Sequence, residues 1–108
     1  MSLRAIEPKD ALALMEQNEA LQIVDIRGAD WFAQAHITQA IMLDSRTLED
    51  FLHDADLDAP VLVYCHHGIS SIPAGEVLAE RGFSEVLSLN GGFEQWRQQY
   101  PRQCTMSQ

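Results

Sequence analysis

Basic residues are scarce in this 108-residue chain: seven Lys and Arg stand against 16 Asp and Glu, a formal net charge of −9. Phosphate backbones and anionic membrane surfaces are gripped by clustered Lys and Arg. With no basic run anywhere, neither nucleic acid nor a membrane is an expected partner. A small anion is a different matter, because a pocket of local dipoles overrides the overall field. Long apolar stretches are missing too. None approaches the ~20 residues of a membrane helix, and no secretory core opens the chain, so the expected location is the cytoplasm. Cysteine occurs only at Cys65 and Cys104, with no C-x-x-C, which speaks against a thioredoxin-type dithiol and a paired-cysteine zinc site. A Cys65–Cys104 disulfide is not expected in a reducing compartment. Residues 101–108 read as a frayed C-terminal tail, with Cys104 as a mobile terminal thiol.

What is present is enough to fold. Hydrophobic residues make up 46% and charged residues 21%, a composition for one packed domain over residues 1–108. Apolar runs alternate with helical periodicity. Leu3 to Ile6 reads as a weak strand, and Pro8 opens a helix carrying Ala11, Leu14 and Met15. Leu21 to Ile26 and Ala40 to Leu43 read as strands around a short helix over Asp30 to Ala35. Ser45 or Thr47 is placed to cap a helix running to about His53. Val61 to Tyr64 and Val86 to Leu89 are further strands, with a helix between them stopped at Arg81-Gly82. A last helix carries Phe93, Trp96 and Tyr100 and stops at Pro101. Strands apolar on both faces and separated by helices predict an α/β fold: about five strands, mostly parallel, with helices on both faces. Sites in such sheets lie at the carboxyl ends of strands.

Cys65 occupies such an end. The run Val61-Leu62-Val63-Tyr64 stops at Cys65, passes through His66, His67, Gly68, Ile69 and Ser70, and restarts as a helix near Ser71. A helix N-terminus carries roughly half a positive charge, and loop N–H groups form anion nests. Such surroundings depress a cysteine pKa from about 8.5 to between about 3.5 and 7.5. Cys65 is therefore the candidate nucleophile.

Three stretches carry a resemblance. Ile23-Val24-Asp25-Ile26-Arg27, with Trp31-Phe32, Ala35-His36-Ile37 and Ala40, is similar to the signature V-D-x-R…F…G-H-I-x-G-A. The Cys65 loop follows. Leu87-Ser88-Leu89-Asn90-Gly91-Gly92-Phe93 with Trp96 is similar to L-x-G-G-F-x-x-W. In this order and spacing they resemble the rhodanese family, in particular stand-alone single-domain thiosulfate sulfurtransferases.

The resemblance implies an enzyme in which the Cys65 thiolate takes the outer sulfur of thiosulfate or a related small anionic donor. Sulfite leaves, and the resulting persulfide passes its sulfur to cyanide or a thiol, a thioredoxin-like protein being one such acceptor. No cofactor and no metal are implied. The backbone N–H groups of His66, His67, Gly68, Ile69, Ser70 and Ser71 are the expected donor-binding groups. The alternative is a weakly catalytic or non-catalytic binding module of the same fold, against which retention of Cys65 speaks.

The remaining residues have two readings each. His66 and His67 add positive charge beside the thiolate or merely contribute backbone. Gly68 supplies positive φ or close backbone approach to the anion. Ile69 lines a pocket entrance or packs under the loop. Ser70 and Ser71 cap the helix or donate hydroxyls to the sulfur. Phosphatases of related fold place arginine sixth after the cysteine, where Ser71 stands, and the next arginine is Arg81 at the far end of the helix; without that fork, phosphoryl transfer is disfavoured. Asp25, Arg27 and His36 are read as scaffold, and Gly91-Gly92 as a tight strand-to-helix turn. Ala35 and Gln39 depart from the family pattern, which often has glycine there.

Overall fold

The computed structural model describes residues 3–106. Five parallel strands form the main sheet in the order β1-β6-β5-β2-β4, with β1 Leu3–Ile6, β2 Gln22–Asp25, β4 Ile41–Met42, β5 Val61–Tyr64 and β6 Val86–Leu89. β5 is the middle strand, pairing Val63 with Val24 on one side and with Ser88 on the other. All four of its residues are buried.

Alternation along β5 explains the two cores. Leu62 and Tyr64 face one way, packing with Ile6, Ile23, Leu87, Phe93 and Trp96 beneath α1 (Pro8–Gln17) and α5 (Gly92–Gln99). Val61 and Val63 face the other, with Val24, Leu78, Phe83 and Val86 beneath α3 (Leu48–Asp54) and α4 (Ser71–Glu80). Side chains of period two on a central strand thus require a helical layer on each face, as the sequence predicts.

The C-terminal segment departs from expectation. Instead of fraying, Pro101–Gln103 forms a 3-10 turn and Cys104–Met106 forms β7, which pairs antiparallel with β3 (Ala35–Ile37) after α2 (Ala29–Gln34). Thr38 donates to the Gln103 carbonyl at 2.9 Å, and the indole of Trp96 donates to the same carbonyl at 3.4 Å. Backbone groups, not side-chain pattern, hold this ribbon. Ser107 and Gln108, the end of the expected tail, lie outside the described residues. Neither Ser45 nor Thr47 caps α3 through its side chain; the Thr47 hydroxyl instead accepts from the Asp44 amide at 3.0 Å. Gln39 takes φ 75°, the left-handed region that its family counterpart's glycine enters without steric cost.

The Cys65 loop and the family it identifies

β5 delivers Cys65 to the carboxyl edge of the sheet, and α4 begins six residues later. The sulfur is the point on which the loop turns. Gly68 and Ser71 each donate a backbone N–H to Sγ at 3.2 Å. The sulfur stands in for a capping side chain: neither Ser70 nor Ser71 caps α4, and the Ser71 amide, the first of the helix, points at Sγ. The Ser71 hydroxyl shares a hydrogen bond of 2.7 Å with Ser88.

These contacts decide the ionisation. Cys65 is 5% exposed, and burial alone raises its pKa. The Ser71 hydroxyl and amide, with the amides of Gly68 and His67, outweigh burial and hold the thiol below its ordinary value. Of the expected donor-binding amides, those of His67, Gly68 and Ser71 act on the sulfur. The amides of His66, Ile69 and Ser70 make no such contact with Sγ.

The outer side of the loop is tied down by α5. The Cys65 and His66 carbonyls accept from the amides of Phe93 at 2.8 Å and Glu94 at 3.1 Å, two N–H groups at the start of the helix that have no partner within it. Such closeness demands glycine. A Cβ on Gly92 would lie 2.5 Å from the His66 carbonyl atoms. Gly68 has the expected positive φ, at 91°, and runs so near α5 that a Cβ would meet the Gly91 nitrogen at 2.8 Å. Gly91-Gly92 does more than turn the chain: it is the bed of the loop.

A cavity of about 340 Å³ opens above the sulfur, lined by Ile26, Arg27, Cys65, His66, His67, Ile69 and Ser70. Ile69 is 75% exposed at its rim, so it does not pack under the loop. The His66 ring meets the Trp31 ring edge-on at 4.8 Å, and neither imidazole bonds the sulfur.

Asp25 and Arg27 are scaffold. Arg27 donates from Nε and Nη2 to the Asp25 carboxylate, and Tyr64 donates to the same group at 2.6 Å. The Ile37 amide donates in turn to the Tyr64 hydroxyl, and burial with Asp25 pushes that phenol far above its ordinary pKa. This network fastens β3 to the ends of β2 and β5. His36 bonds the Phe32 carbonyl and stacks on the Phe32 ring, a scaffold role as well. Arg81 is bound by both guanidinium arms to Glu49, away from the sulfur. Among the described residues, no group of three or more His, Cys, Asp or Glu is gathered to hold a metal ion, and no helix is long and apolar enough to cross a membrane.

Sequence reasoning passed over four contributors: Ser88, the Phe93 and Glu94 amides, and Trp31. Only Ser88 left a signal, as the lone hydroxyl in the buried strand Val86-Leu87-Ser88-Leu89.

The sequence model of the rhodanese-like domain matches residues 7–99. The chain belongs to the rhodanese-like domain family. Rhodanese-like relatives include a protein of Pseudomonas putida (strain GB-1) named thiosulfate sulfurtransferase GlpE, 50% identical over 91% of this chain and 88% of the relative. A protein of the same name from Pseudomonas fluorescens (strain SBW25) is 48% identical over 94% and 92%. The crystal structure of a rhodanese-like domain protein from Staphylococcus aureus superposes with a TM-score of 0.74 at 23% identity, covering 89% of this chain and 91% of that one. The BH2092 protein of Bacillus halodurans gives a TM-score of 0.78 at 25% identity over 88% and 72%.

Proposed function

We propose that this protein is a thiosulfate sulfurtransferase whose sulfur is carried on Cys65. The observation behind this reading is the sulfur itself, met by two inward backbone N–H groups at 3.2 Å. The Cys65 thiolate attacks the outer sulfur of thiosulfate; the S–S bond of the donor breaks, and sulfite leaves with its electron pair. Cys65 then carries a persulfide whose terminal sulfur is anionic. An acceptor thiolate or cyanide attacks that sulfur, forming its own persulfide or thiocyanate and returning the Cys65 thiolate. No proton, metal or oxidant is needed at either step.

The amides that favour thiolate over thiol also favour the persulfide anion, since negative charge stays within their reach throughout. The names of the Pseudomonas relatives support the donor. A cellular thiol is the acceptor, a thioredoxin-like protein among the candidates, and the exposed Ile69 offers such a partner an apolar contact beside the cavity. Both cysteines are free thiols, in keeping with the reducing cytoplasm.

Intact-mass measurement after thiosulfate treatment tests the proposal. One added sulfur atom is expected, removed by cyanide and absent from Cys65→Ser. No added sulfur on the native chain, or sulfur persisting in Cys65→Ser, overturns it.

A further inference from the structure

Arg27 has an uncommitted arm. Nε and Nη2 are bound to Asp25, and Nη2 also to the Ala35 carbonyl. Nη1 has no acceptor among the described residues. No fully sealed side-chain nitrogen there lacks a partner, so Nη1 keeps a narrow accessible face on a side chain that is only 2% exposed. Arg27 borders two cavities, the one above Cys65 and one beside β7. Ala35, whose carbonyl it binds, and Phe93, whose ring centroid lies 4.2 Å from Cζ, both line the cavity beside β7, of about 410 Å³.

That cavity shares only Arg27 with the one above Cys65. Its walls include the rings of Trp31 and Phe93, the Met106 side chain, and a second guanidinium at Arg97. The charges of Arg27 and Arg97 both reach the Cys104 sulfur in the same wall. Glu94 lines the cavity as well, but its carboxylate is already met by Arg97 at 2.7 Å. The volume falls within the range of small-molecule sites, which combine apolar walls with a few polar groups.

We propose that this cavity binds a small organic anion, a carboxylate or sulfonate on a flat apolar body. The anionic head lies on Arg27 Nη1, and the body lies against Trp31, Phe93 and Met106. The site does not depend on sulfur transfer, although it adjoins the loop through the Trp31–His66 contact and the Phe93 and Glu94 amides.

Phenylacetate and its neutral isostere phenylacetamide test the site on the native chain. Trp31 is 50% exposed whereas Trp96 is fully buried, so a fluorescence change reports the cavity. Phenylacetate is expected to saturate that signal, to bind about tenfold more tightly than the amide, and to slow maleimide labelling of Cys104 read by peptide mass. Met106→Glu, at a position 65% exposed and therefore tolerant of change, is expected to weaken phenylacetate binding at least about fivefold by like charge. Equal binding of acid and amide, no saturable change, unaltered labelling of Cys104, or full affinity in Met106→Glu each overturns the proposal. None of these readouts involves the Cys65 persulfide.

Discussion

Cys65 follows one strand and Cys104 opens another, and burial raises the pKa of both, yet they settle on opposite sides of an ordinary thiol. Cys65, 5% exposed, is held below it. Cys104 stays above it although two arginines, Arg27 and Arg97, pull it down. What separates them is the set of hydrogen-bond donors that meets each sulfur. Three loop amides and a hydroxyl act on the first sulfur; the second donates to the Tyr100 carbonyl at 3.7 Å, a contact that suits the thiol. A hydroxyl and amides fixed in direct contact outweigh guanidinium groups that are shared with carboxylates.

The largest way to break the comparison is to remove each sulfur in turn. Cys65→Ser is expected to abolish sulfur transfer to cyanide, and Cys104→Ser to leave it within about twofold, measured by thiocyanate formation. Gly92→Ala comes next. Its methyl has no room against the His66 carbonyl, so a loss of about 2–4 kcal/mol in chemical denaturation is expected, with transfer reduced in the fraction that folds.

Ser71→Ala sharpens the comparison at one hydroxyl. The Cys65 pKa is expected to rise, which pH-dependent alkylation measures, while adding Ser88→Ala relieves the hydroxyl left unpaired without restoring the pKa. The smallest effect is expected from Arg97→Gln, which removes one of the charges pulling Cys104 down. Labelling of Cys104 should then slow slightly at fixed pH, with Cys65 unchanged.

The two thiols also carry opposite pH dependences. Cys65 has a folded pKa below its unfolded value, so its contribution to stability is present above the unfolded pKa and is lost as pH falls through the folded one. Cys104 has a folded pKa above its unfolded value. Its contribution is present below the unfolded pKa and is lost as pH rises through the folded one.

The central sheet and the Cys65 loop were legible because side-chain pattern encodes them. β5 is apolar on both faces, and a cysteine before a helix start announces its surroundings. The β3–β7 ribbon was not legible, since its pairing is made by backbone groups and its residues alternate between half-buried Cys104 and exposed Thr105 and Met106. The bed formed by Gly91-Gly92 was half legible: two glycines signal a turn, but only the fold shows which backbone lies against them. Asp25 and Arg27 were read as scaffold, and so they are, yet the free Nη1 of Arg27 depends on where Ala35 and Phe93 lie, which no local spacing reveals.

Alkylation of both cysteines across pH, in one sample and resolved by peptide mass, tests the dominance of these donors most directly. Cys65 should react with a midpoint below that of an ordinary thiol and Cys104 with one above it. Midpoints that coincide, or that fall in the reverse order, would contradict the claim that the donors meeting each sulfur set its reactivity.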